Sequence, residues 1–158
     1  MKKVIFTVGL PGSGKTTLAE KLKKEHLGNS LTCEIFTTDD FFVKDGQYQW
    51  KFDYLTAAHE WNFGRFALAM FNGMNVLIVG NCNLNAWTLY KYVELAIKNG
   101  YEFELIEPKT KWRNDPEECA KRNSHNVPLA TIQRMFDKRE SLKDMEKDLE
   151  KKFDKLKA

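Results

Sequence analysis

Short apolar runs and helix-spaced apolar positions alternate along this chain. Val4-Ile5-Phe6-Thr7-Val8 is a β-branched and aromatic run and predicts a first strand. Residues 16–26 predict a helix, with Leu18, Leu22 and Leu27 at helical spacing and Gly28 as its stop. A second strand is expected over residues 34–37, followed by Thr38-Asp39-Asp40 and a turn at Asp45-Gly46. Residues 53–70, rich in Ala, Leu, Phe and His, predict a long helix capped by Asp53. The most apolar run, Val76-Leu77-Ile78-Val79, belongs in the middle of a sheet. Asn85 is the expected N-cap of a helix reaching Asn99 and ended by Gly100, and residues 102–106 predict a further strand.

After that strand the chain becomes polar and punctuated. Residues 108–128 hold one predicted short helix over 116–122, and a helix is expected from Leu129 into the tail. Residues 139–158 are highly charged, yet Leu142, Met145, Leu149, Phe153 and Leu156 recur every three or four positions, which makes one apolar stripe. The stripe fits a helix folded back on the domain, or one that self-associates or binds a partner. Alternating strand and helix signals imply an α/β fold, a parallel sheet of four to five strands flanked by helices. The organisation expected is a domain over residues 1–138, with a lid at about 108–128, and a charged C-terminal helix over 139–158.

Gly9-Leu10-Pro11-Gly12-Ser13-Gly14-Lys15-Thr16 matches G-x-x-x-x-G-K-[ST], with a strand before it and a helix after. Glycines let such a P-loop wrap phosphate so that successive N–H groups face the oxygens, and the helix start adds its positive dipole end. Lys15 is expected on the β- and γ-phosphates and the Thr16 hydroxyl on Mg²⁺, with Thr17 beside it. The fold class is therefore a P-loop NTPase, and a nucleoside triphosphate such as ATP is the expected ligand. No N-K-x-D base-reading motif is present, which argues against a guanine-nucleotide switch. The run at 76–79 ends in Gly80-Asn81 with no carboxylate, which argues against a typical NTPase motor. A small kinase needs a carboxylate for the acceptor proton and cations over the transferring group. Asp39 and Asp40, after the second strand, and Arg122, in the lid, supply these.

Bulk properties change little. The net charge is +3 with 30% charged residues, too mild to prove a nucleic-acid partner by itself. Cys33, Cys82 and Cys119 lack CxxC spacing, so no disulfide framework or zinc site is suggested and a reducing cytoplasm is expected. No apolar run approaches the roughly 18–20 residues of a membrane span. The apolar start reads as a strand rather than a leader because it runs directly into the glycine-rich loop.

In order along about residues 2–136, the chain resembles the kinase domain of phage-type 5′-hydroxyl polynucleotide kinase. It also resembles the related P-loop domains of the Nedd-four-binding-protein-like group and of the myelin cyclic-nucleotide phosphodiesterase. The pieces that carry this are the P-loop, Thr38-Asp39-Asp40-Phe41-Phe42, Ala58-His59-Glu60 with Arg65, and Asn81-Cys82-Asn83-Leu84-Asn85. They continue with Gly100-Tyr101, Lys121-Arg122-Asn123-Ser124-His125 and Val127-Pro128. The resemblance implies Asp39 as general base and Arg122 as a lid arginine on the phosphates. It also places Asn83 near the phosphates and metal, and His59, Arg65 and Asp40 along the acceptor channel. Two departures stand out: Asn81 replaces an aspartate, and Phe41-Phe42 replaces a Tyr-Arg pair whose arginine touches substrate phosphate. The expected acceptor is the 5′-hydroxyl of a nucleic-acid end. A small-molecule acceptor, or a nucleotide-binding module with little catalysis, remains open at this point.

Overall fold

The computed structural model describes residues 1–156. In chain order its elements are β1 (Lys3–Thr7), α1 (Lys15–Gly28), β2 (Cys33–Phe36), β3 (Val43–Lys44), β4 (Gln47–Tyr48), α2 (Leu55–Phe71) and β5 (Val76–Val79). They continue with α3 (Tyr90–Lys98), β6 (Glu102–Ile106), α4 (Pro116–Arg122), α5 (Leu129–Lys138) and α6 (Leu142–Phe153). β1, β2, β5 and β6 form one parallel sheet in the order β2-β5-β1-β6, and β3 pairs with β4 as a small antiparallel hairpin.

Side chains alternate across the sheet as the strand period requires. Val4, Phe6, Leu77 and Val79 enter the larger core, together with Phe66 and Met70 of α2, Val93 and Ala96 of α3, and Met145 and Leu149 of α6. Ile5, Val76 and Ile78 face the other way, against Ala19 of α1. All four β5 residues are fully buried, as expected for a strand covered on both faces between two partners. No helix of the described residues is long and apolar enough to cross a membrane.

Several boundaries differ from expectation for local reasons. α1 runs through Gly28; the chain leaves the helix at Asn29 and turns at Ser30, whose φ is 61°. Asp53 does not cap α2: residues Phe52–Tyr54 form a 3-10 turn first, and Tyr54 precedes the helix without a side-chain cap. Asn85 likewise precedes a 3-10 turn, Ala86–Leu89, that leads into α3, and it makes no side-chain cap there. Asp45-Gly46 is the tip of the β3–β4 hairpin, with φ of 52° and 76° at its two residues, the conformation that favours this pair in two-residue hairpins.

The expected continuous helix from Leu129 into the tail is instead two helices. α5 ends at Lys138, and Ser141 caps α6 by accepting from the Asp144 N–H. Glu140 fastens the break: its N–H donates to the Leu84 carbonyl, and its carboxylate accepts from the Ala86 N–H at 3.0 Å. The stripe of α6 then packs on the chain's own core, with Met145 and Leu149 fully buried, and the Tyr90 hydroxyl donates to Asp148. Met145, Leu149 and Phe153 of the stripe are thus taken up by the chain's own core, while Leu156 stays exposed. Replacing Leu149 with Ala should lower the unfolding free energy by about 2–5 kcal/mol in a denaturant titration, since the cavity lies in a packed core. A loss within about 0.5 kcal/mol would mark the stripe as surface instead.

Candidate functional site

The P-loop leaves β1 at its carboxyl end. Gly9 donates its N–H to Cys82, beside β5, and Ser13 donates to the Leu10 carbonyl within the loop, while Pro11 sits half-buried at the bend. Gly12 and Gly14 have φ of 80° and 107°, a region that side chains rarely enter. Space forbids a Cβ as well: one on Gly12 would lie 2.2 Å from the Cys119 carbonyl oxygen of α4, and one on Gly14 would lie 2.9 Å from Thr110. The segment 108–128 is thus built flush against the loop. Thr110 and Trp112 donate to the carbonyls of Ser13 and Gly12 at 2.7 and 3.0 Å. These bonds hold loop carbonyls on the lid side.

Lys15 opens α1 and reaches back across the loop, its Nζ donating to the Leu10 carbonyl at 3.0 Å. Thr16 and Thr17 are exposed on the first turn. With Gly12, Gly14 and Lys15 they line a cleft of about 240 Å³, closed from the lid side by Trp112, Arg122 and Asn123. The Arg122 guanidinium lies 3.6 Å from the centre of the Trp112 ring, and its Nε donates to Glu118 at 2.8 Å. Ser13 is fully buried at the base of the loop, and its hydroxyl has no hydrogen-bond partner among the described residues. An orphaned buried hydroxyl beside a glycine cradle and a helix start fits a ligand carrying anionic oxygens.

Asp39 follows β2 on a 3-10 turn, Thr38–Phe42, whose start is capped by the Thr37 hydroxyl accepting from the Asp39 N–H. Tyr48 of the hairpin donates its hydroxyl to Asp39 Oδ1 at 3.0 Å. Burial, with Asp39 adding to it, pushes the Tyr48 phenol up, so it stays a donor at neutral pH. His125 of the lid places Nδ1 3.5 Å from the other Asp39 oxygen and stacks on Tyr48, their ring centres 4.2 Å apart. Hairpin and lid therefore meet over this carboxylate. Asn81 accepts from the Thr38 N–H at 2.8 Å, so this amide holds the turn carrying Asp39.

The remaining residues singled out from the sequence divide into two groups. Asp40 pairs with Arg65 at 2.8 Å, and Arg65 also donates to the Thr37 carbonyl and lies 4.1 Å above the Trp61 ring. His59 places Nδ1 3.2 Å from the Thr38 hydroxyl. Its pKa is lowered by desolvation and by Lys91, with Asp39 opposing, so the neutral ring is favoured. Both therefore brace the Asp39 turn. Asn83, with φ of 54°, donates its amide to the Thr7 and Val79 carbonyls at 2.8 and 3.0 Å, and ties the ends of β1 and β5 together. Sequence spacing carried no signal for Tyr48, Thr110 or Trp112, which reach the site from a hairpin and a loop.

The profile of the AAA domain family matches residues 4–142. The chain belongs to that family. NEDD4-binding protein 2 of Homo sapiens is 41% identical over 134 residues, which is 85% of this chain and 7% of that protein. The 2′,3′-cyclic-nucleotide 3′-phosphodiesterase of Rattus norvegicus is 28% identical over 137 residues, 84% of this chain and 30% of the enzyme. The chain thus spans a small part of each relative. Among solved structures, a chain of the Pnkp1/Rnl/Hen1 RNA repair complex matches with a TM-score of 0.65 at 19% identity, over 93% of this chain and 46% of that one. APE1195 matches at 0.59 and 18% identity, covering 99% and 95%. The fold is an α/β P-loop domain shared with these structures.

Gly12→Ala tests the cradle. The added methyl meets the Cys119 carbonyl in a backbone conformation that resists it, so loop and lid must separate. Affinity for a fluorescent ATP analogue should fall at least about tenfold, or about 1.4 kcal/mol. Unchanged affinity would show that loop and lid need not touch.

Proposed function

We propose that this domain is an ATP-dependent kinase that phosphorylates a hydroxyl acceptor, the 5′-hydroxyl of a polynucleotide end. One observation carries the reading. Arg122 lines the P-loop cleft, and His125, three residues further along the same lid, contacts Asp39. A single short segment therefore bridges the phosphate loop and a carboxylate able to take a proton. The RNA repair complex to which the matching chain belongs supports a polynucleotide end as acceptor.

The chain's residues fit a magnesium nucleotide. The N–H groups of residues 12–16 and Lys15 would hold the phosphates, and the Ser13 hydroxyl would gain a partner. Thr16 would supply one metal oxygen. The described residues hold no group of three or more His, Cys, Asp and Glu able to grip a metal. Phosphate and water would complete such a shell, as Mg²⁺ commonly accepts. The ion supplies charge neutralisation on the phosphate oxygens.

Asp39 takes the acceptor proton, oriented by Tyr48 through one oxygen. Arg122, braced on Trp112 and Glu118, turns a cation toward the developing charge. Such a site works by positioning and electrostatics more than by covalent chemistry. A smaller acceptor, a nucleoside or modified base, is the second reading, favoured by the Tyr48 and His125 rings that close over Asp39. Three free cysteines, two of them buried, suit a reducing cytoplasm.

Asp39→Asn should lower transfer to a 5′-hydroxyl oligonucleotide by about 10²–10⁴-fold while leaving ATP-analogue binding intact, since the loss is of general-base catalysis. Turnover at the wild-type rate would remove Asp39 as the base. Asn81→Asp keeps an acceptor for the Thr38 N–H and should retain most activity. Asn81→Leu loses that acceptor and should cut kcat about tenfold or more, because displacing the Asp39 turn misaligns the base. Equal activities in steady-state assays would dissociate the amide from the base's position.

A further inference from the structure

A second cavity, of about 540 Å³, is lined by the segment Asn81–Asn85. Asn81 and His59 form part of its wall, and both hold Thr38, the residue before Asp39. Cys82, in the same wall, accepts from Gly9 of the P-loop. The cavity is therefore joined by single hydrogen bonds to both halves of the transfer site.

Its chemistry is one-sided. Lys91 of α3 and Arg134 and Lys138 of α5 line it, and no Asp or Glu does. None of these three cations makes an ion pair among the described residues; Lys91 instead lies 4.7 Å from the Phe63 ring centre. At the rim stands Trp87, 68% exposed, with no ring partner among the described residues. A large exposed indole beside unpaired cations suits an anion joined to a flat ring. The turn after β2, by contrast, offers an acceptor phosphate little. Phe42 is buried in place of a cation, Phe41 packs on Trp61, and Arg65 is paired with Asp40.

We infer that this cavity seats the acceptor strand next to its reacting end, with Lys91 and Arg134 taking the phosphate on the 3′ side of the reacting nucleoside and Trp87 stacking a base. Lys138 adds charge at the mouth. The inference rests on the polynucleotide reading and sharpens it. The cations that grip the strand come from α3 and α5, and an acceptor without a phosphodiester lacks most of the hold. The volume is within the range of small-ligand sites and suits about one nucleotide.

The test is binding of a 3′-fluorescein-labelled hexanucleotide with a 5′-hydroxyl, in DNA and RNA forms. It is followed by anisotropy on the full chain with a non-hydrolysable magnesium ATP analogue. Lys91→Ala/Arg134→Ala should weaken binding at least about tenfold and reduce the slope of log affinity against log salt by about one to two, one per lost phosphate contact. Trp87→Ala should weaken binding about tenfold with the slope unchanged, the loss of one stacked base. Lys21→Ala/Lys24→Ala, on α1, should change neither. All of these positions are exposed, and each variant should keep its ATP-analogue affinity and melting temperature. Hexanucleotide binding that is absent in wild type, or equal in wild type and both cavity variants, overturns the inference. So does a free nucleoside that binds as tightly as the hexanucleotide. Cavity-dependent binding with no label transferred from ATP to any 5′-hydroxyl would uphold the cavity and remove the kinase reading, so the two fail separately.

Discussion

The segment that follows β5 is the constraint on which the site depends. Parallel strands end at the same edge of a sheet, but nothing in the ladder itself fixes the loops that leave it. Here Asn83 donates to the last carbonyls of β1 and β5, Cys82 receives the first N–H of the P-loop, and Asn81 receives the N–H of Thr38 after β2. Three consecutive residues so lock three strand ends. Asn83 is buried and adopts a left-handed φ, which asparagine tolerates better than most side chains. The Val79 carbonyl also accepts from the Thr7 hydroxyl, so removing the amide costs chiefly the donor to the Thr7 carbonyl, at about 1–3 kcal/mol for an unsatisfied buried group.

A rigid edge of this kind explains how a short segment can reach both the P-loop and Asp39. Residues 108–128 contain only the seven-residue α4, yet they bond the P-loop at Thr110 and Trp112 and reach Asp39 through His125. Glycine at position 12 permits that approach, because α4 brings a carbonyl to where its Cβ would be. Packing between loop and lid is thus as demanding as packing within a core, and it makes the arginine of α4 part of the phosphate cleft rather than a surface charge.

The sheet and the P-loop were legible in the sequence because both are local. A β-branched run, a glycine-rich turn and a following helix are neighbours in the chain, and each reports its own conformation. Val76-Leu77-Ile78-Val79 disclosed its central place because a strand covered on both faces has no polar alternation to show. Helix boundaries were less legible. Asp53 and Asn85 have capping chemistry, but tertiary packing inserted 3-10 turns before each helix and moved the start beyond them. The break after Lys138 was hidden because no Gly or Pro stands between Lys138 and the stripe that begins at Leu142. Ser141 has the capping side chain, but Glu140 secures the break by bonding to residues 84 and 86, more than fifty positions away.

Asn81 illustrates the same limit in the site. By pattern alone, an amide in place of a carboxylate counts as a loss of metal or water organisation. The structure assigns that side chain's oxygen to a backbone N–H, and amide and carboxylate oxygens both accept such a bond. An amide at position 81 therefore holds the Asp39 turn without adding a negative charge to that edge. The cavity that Asn81 helps to line holds three cations that make no ion pair among the described residues, and no carboxylate. A mild overall charge of +3 conceals this, because the sum over the chain averages a cationic cavity with acidic surface elsewhere. What matters for recognising an anion is the local imbalance, and an aspartate at position 81 would have offset part of it.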